Sequence, residues 1–141
     1  TAALVVVNPA VEPGGEPLLE MGRQLLADGT DVLPPIGSDI ALPGVTELSY
    51  DGSPVAALMS LVEATEDLAP QIPGIACPAL VFSSVQDHVV APTASEFLAT
   101  HLGGPVERVL LERSYHVATL DYDAPEIEAR TVEFLAKSFS A

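Results

Sequence analysis

"IACPALVFSSVQDHVVAP", Ile75 to Pro92, passes from an apolar run into a short polar loop and then to a proline able to open a helix. Its segment Cys77 to Val85 reads as a strand. The loop leaving it carries Asp87, and the helix from Pro92 to Leu102 is stopped by Gly103 and Gly104. Another apolar run, "VERVLLE", Val106 to Glu112, follows directly. Strand, helix, strand in that order requires a crossover, so the two strands run parallel.

Working toward the N-terminus, "AALVVVN", Ala2 to Asn8, is a continuous β-branched run ended by Pro9, the pattern of a strand buried on both faces of a parallel sheet. A helix is predicted from Pro17, with Leu18, Met21, Leu25 and Leu26 on one face and Gly29 as its stop. Residues 30–52 are broken by prolines and glycines, hold neither period, and read as one extended loop. Ser53 as N-cap and Pro54 in the first turn predict a second helix, with Val55, Leu58, Met59, Val62 and Ala69 at helical spacing up to Pro70. The last helix is predicted to start with a capping pair, Asp123 and Glu126, and to bury Ile127, Thr131, Phe134 and Leu135. The expected fold class is α/β: about three parallel strands with flanking helices.

Composition narrows the functions. With 141 residues and 48% apolar content, one domain with a packed core is expected. A net charge of -15 repels nucleic acid and anionic membrane surfaces. The single Cys77 gives no disulfide, no apolar run approaches the roughly 20 residues that span a bilayer, and no signal peptide is visible, so the expected location is cytoplasmic. The chain opens on Thr1 and meets a strand almost at once, which suggests a piece of something longer.

In a parallel sheet, reactive side chains gather beyond the carboxyl ends of the strands. Asp87 lies just past one strand and His116 just past the next, so a carboxylate could fix the tautomer of a general base. Taken singly, each has a plainer reading: a loop aspartate caps helices, and a lone histidine is more often structural. His88, adjacent to Asp87, is poorly placed to be its partner; His101 suits the negative end of the helix from Pro92. Asp121 reads as polar loop surface. The scattered histidines give no metal motif, and no cofactor is expected.

The stretches "IACPALVFSSVQDHVVAP" and "SYHVATLDYD" resemble the acid loop and the histidine loop of the α/β-hydrolase family, most closely those of small bacterial carboxylesterases and monoacylglycerol lipases. The resemblance implies the C-terminal half of that fold. Residues 1–11 would be its sixth strand, 12–75 a lid or cap region, and 76–141 the strand-helix-strand-helix unit bearing Asp87 as triad acid and His116 as general base. Met21, Leu58 and Met59 on the lid helices would contact the acyl chain of a small ester or acylglycerol. Two departures stand out. Tyr115 replaces the glycine usual before the histidine, where its ring is expected to narrow the mouth or shift His116. No serine has glycine at both minus two and plus two, so the nucleophile elbow would lie upstream of Thr1. The Ala2 to Asn8 strand would then offer an unpaired edge to a missing N-terminal half, or to a second copy. Dehalogenase, epoxide hydrolase or C–C hydrolase chemistry, or a non-catalytic binding module, are the alternatives this pattern leaves open.

Overall fold

A computed structural model describes residues 1–140. Three parallel strands form its sheet in the order β1 (Leu4–Val7), β4 (Ala79–Ser84), β5 (Val106–Leu111), with Leu4 opposite Ala79 and Ala79 opposite Val106. Central β4 is buried at every residue, as expected of a continuous apolar strand flanked on both edges and both faces.

Alternation along β4 divides the core. Leu80 and Phe82 point to one face, with Val109, Leu111, Ala118 and Ile127, and Phe134 packs against them. Val81 points to the other, with Ile72 and Leu98. The first face is covered by α4 (Ala124–Ser140), and the second by α3 (Pro92–His101) and the 3-10 turn Ala69–Gly74. Helices on both faces of a parallel sheet are the α/β arrangement expected from the sequence.

α1 (Glu16–Ala27) and α2 (Val55–Leu68) pack against each other, and α2 also against the 3-10 turn. Helix α1 turns a different face inward from the one its apolar spacing predicts. Leu19 and Gly22 are buried, whereas Leu18 and Met21 are 55% and 52% exposed. Gly22 explains the rotation: its bare Cα accepts the Met59 side chain of α2 where a Cβ would collide with it. Glu66 of α2 in turn accepts the Gly14 and Gly15 N–H groups at the start of α1, through Oε1 at 2.5 and 3.1 Å.

The segment 30–52 is not wholly irregular. β2 (Val32–Leu33) and β3 (Ser53–Pro54) pair antiparallel and close it into a loop. Ser53 is therefore strand, not the expected helix cap; Pro54 stands at the cap of α2 and contributes no side-chain bond. The Asp123 to Glu126 capping pair is also absent. Asp123 directs its carboxylate back to the loop after β5, and only its carbonyl oxygen receives the N–H groups of Glu126 and Ile127.

Gly103 and Gly104 do more than end α3. The backbone passes so close to residues 73–77 that a Cβ on Gly104 would stand 2.5 Å from the carbonyl oxygens of Ala76 and Cys77. Gly104→Ala should therefore lower stability by about 1–3 kcal/mol, the usual cost of forcing atoms into a packed site. Denaturant unfolding measures it; a change below about 0.5 kcal/mol contradicts the close approach.

Candidate active site

The carboxyl ends of the three strands open onto one crevice. The chain leaving β4 carries Asp87, and the chain leaving β5 carries His116. Asp87 Oδ1 accepts the N–H groups of Val89 and Val90, at 2.9 and 2.8 Å, so the carboxylate folds its own loop around itself. Oδ2 is left for His116 Nδ1, at 2.8 Å. A carboxylate offers only acceptors, so Nδ1 carries the proton and Nε2 presents a lone pair. Nε2 has no hydrogen-bond partner among the described residues. The Asp87 side chain is 2% exposed and that of His116 29%, a buried acid beside a reachable ring.

The His116 loop is held by its backbone. Asp123 Oδ2 accepts the N–H groups of Arg113 and Ser114, at 3.1 and 3.0 Å. Asp121 Oδ2 accepts that of Tyr115, at 2.9 Å. Asp39 Oδ2, from the 30–52 segment, accepts that of His116 itself, at 3.0 Å. On the carbonyl side, Asn8 Nδ2 donates to the His116 oxygen at 2.8 Å, and Ser84 Oγ to the Tyr115 oxygen at 2.8 Å. Asn8 and Ser84 also bond each other, Nδ2 to Oγ and N–H to Oδ1. The strand ends and the histidine loop are thus one network.

Three of these residues escape sequence reasoning. Asn8 ends β1 in the left-handed region, φ 48, a conformation asparagine tolerates better than most residues; the Asn-Pro pair is its only trace in the sequence. Asp39 sits amid an aperiodic segment with no local signal. Asp121 is not polar surface as expected: it is buried, and also accepts the N–H groups of Ala41, Leu42 and Tyr122.

Burial alone would raise the carboxyl of Asp121, but these four backbone donors outweigh it and hold the group below the usual carboxylate range. Asp39 behaves alike. Burial opposes its charge, and the His116 N–H, with the ring and N–H of His88, more than restores it.

A cavity of about 500 Å³ opens beside the pair. His116, Val117 and Asp39 line it, facing Leu58, Leu61, Ala57 and the 35–54 segment. Leu58 of the expected acyl contacts lies on this wall. Met59 is occupied against Gly22, and Met21 lies on the exposed side of α1. Tyr115 is not on the cavity wall; its ring stands edge-on to His88 at 4.5 Å, and His88 Nδ1 pairs with Asp39 Oδ1 at 2.8 Å. His101 packs on Phe97 at the end of α3.

No protein-family profile matches the chain. It is similar to a thermostable monoacylglycerol lipase of Bacillus sp. (strain H-257), 37% identical over 135 residues that make up 95% of this chain and 53% of that protein. Among solved structures, one from a study of two metagenome-derived lipolytic enzymes, LipS and LipT, superposes with a TM-score of 0.85 at 37% identity, covering 96% of this chain and 55% of the other. The chain is the C-terminal half of an α/β-hydrolase fold. A monoacylglycerol lipase from Paleococcus ferrophilus shares that hydrolase fold at 15% identity, with a TM-score of 0.65 over 97% of this chain and 59% of its own. The chain thus spans about half the length of the hydrolases it matches. Among the described residues no helix is long and apolar enough to cross a membrane.

Two outcomes are expected of the network. Asn8→Ala leaves the His116 carbonyl without its donor and places alanine at positive φ, so stability should fall by about 2–3 kcal/mol in denaturant unfolding, with a loss under about 0.5 contradicting it. Asp39 and Asp121 bind protons less readily when folded than when unfolded. Their contribution is therefore complete above the unfolded value of about 3.9 and is lost as pH falls through their lower folded values. Melting temperatures recorded on the acid side should fall steeply for the parent and less steeply for Asp121→Asn, which starts lower at neutral pH. Parallel curves would contradict the assignment.

Proposed function

We propose that this chain supplies the acid and the base of a serine carboxylic-ester hydrolase of carboxylesterase or monoacylglycerol lipase type, with the nucleophilic serine in a part of the protein outside these residues. The observation that carries the reading is the Asp87 to His116 contact, made at the exits of adjacent parallel strands with Nε2 free beside a cavity. The 37% identity to a monoacylglycerol lipase supports the substrate class, an ester or acylglycerol.

In this reading His116 Nε2 removes the serine proton as the hydroxyl attacks the ester carbonyl. Asp87 accepts the Nδ1 proton's hydrogen bond and stabilises the imidazolium, which then protonates the departing alcohol. Water, deprotonated by the same nitrogen, releases the acid. The oxyanion donors belong with the nucleophile. Residues 12–75 form the lid, and Leu58 on the cavity wall meets the acyl chain, with the flanking lid positions Met21 and Met59 contributing when the helices shift. Residues 1–11 and 76–141 are the sheet portion, and β1 offers its free edge to the remaining strands of the fold, on the same parent chain or a companion chain. The location is cytoplasmic.

His116→Ala in the complete hydrolase should reduce kcat/KM on short and medium acyl esters by about 10⁴ or more, and Asp87→Asn by a comparable factor. Steady-state hydrolysis of chromogenic esters measures both. Full activity in His116→Ala ends this reading.

A further inference from the structure

Asp39 reaches the site from a distant part of the chain, 49 residues from His88 and 77 from His116. Its side chain is 13% exposed and both oxygens are engaged. Oδ2 accepts the backbone N–H of His88 at 3.1 Å and that of His116 at 3.0 Å; Oδ1 meets His88 Nδ1 at 2.8 Å. The Asp39 carbonyl oxygen accepts the Val117 N–H at 3.1 Å. One carboxylate therefore grips the residue next to the acid and the base itself.

We propose that Asp39 is a positioning residue: it ties the loop bearing Asp87 to the loop bearing His116 and so sets the spacing across which the two share a proton. The proposal rests on the ester-hydrolase reading of the same site. Asp87 and His116 each belong to a separate strand exit. Their mutual bond, the Gln86 side chain on the Glu112 carbonyl and the His88 ring against Tyr115 also cross between the two loops, but Asp39 bonds both the residue beside the acid and the base itself. Asp39 closes the crevice from the lid side. Reactive geometry is sensitive at this scale, since displacement by about 1 Å can cost about a hundredfold in rate. The second effect is electrostatic. A buried negative charge bonded to the backbone of His116 favours the imidazolium that forms in the transition state, and its carboxyl, held below the usual range, keeps that charge into acid. The titratable groups around it are Asp87 and His88 on one loop, Tyr115 and His116 on the other, and Glu47 and Tyr50 across the cavity.

Two substitutions in the complete hydrolase separate the tie from the charge. Asp39→Ala removes both, and kcat should fall about 10- to 100-fold with KM within about twofold. Asp39→Asn keeps an amide oxygen in the Oδ2 place and can retain both N–H bonds while losing the charge. It should recover most of the kcat lost in Asp39→Ala, while the acid limb of its pH–rate profile moves to lower pH. A kcat within twofold of the parent in Asp39→Ala overturns the proposal. So does a loss carried by KM, which would make Asp39 a substrate contact. If Asp39→Ala does not fold, Asp39→Ser, whose short hydroxyl cannot reach both N–H groups, takes its place and is read by the same criteria. His116→Ala is run beside them. If it retains activity, the hydrolase reading fails; if it is inactive while the Asp39 variants match the parent, only the positioning role falls.

Discussion

Four consecutive backbone N–H groups, Arg113 to His116, each end on an aspartate carboxylate. This constraint determines the rest of the crevice. A loop leaving a buried strand carries amides that must be paired or solvated, and here there is neither helix nor strand to pair them. Asp121 and Asp123 come from the turn just ahead of the following helix, and Asp39 from the 30–52 segment. The loop is therefore folded by two separate parts of the chain at once. Its carbonyls are held from behind by Asn8 and Ser84 at the ends of the neighbouring strands. A histidine on such a loop has few ways to move.

The acidic composition takes on a second meaning in this light. A charge of -15 on 141 residues reads as a solvated surface. Some of it is instead internal scaffolding, because carboxylates are strong acceptors and each can gather several amides. Asp121 gathers four and folds residues 41–42 onto the histidine loop. Asp87 takes two amides of its own loop before it meets His116. Through these groups the 30–52 segment, the Asp87 loop and the His116 loop are bonded to one another, with Asp39 as the contact to the His116 backbone.

What could be read in the sequence was what local periodicity encodes. The three strands, the crossover helix and their parallel order follow from short apolar runs punctuated by glycine and proline, and Asp87 and His116 lie just past two strand ends. The run from Ala2 to Asn8, read as buried on both faces, is instead only partly covered, because β1 is an edge of the sheet. What could not be read depends on long-range contact. The inward face of α1 is chosen by Gly22 receiving Met59 from another helix, not by the spacing of Leu18 and Met21. Asp123 matches a capping pattern, yet its side chain meets stronger demand from the amides of Arg113 and Ser114. Asp39 has no local signature because its partners lie 49 and 77 residues away. Tyr115, expected to narrow the mouth or shift His116, packs its ring on His88.

The role proposed for His116, held by Asp87 and by its backbone network, is that of a base for a serine supplied from elsewhere in the protein. An organophosphonate that phosphonylates only activated serines tests this on the complete hydrolase, with the labelled residue found by peptide mass spectrometry and the labelling rate followed in time. The account predicts one modified serine outside these 141 residues, and a labelling rate that collapses in His116→Ala while the fold is kept. Labelling that proceeds at the parent rate in His116→Ala, or that falls on a serine within these residues, would contradict it.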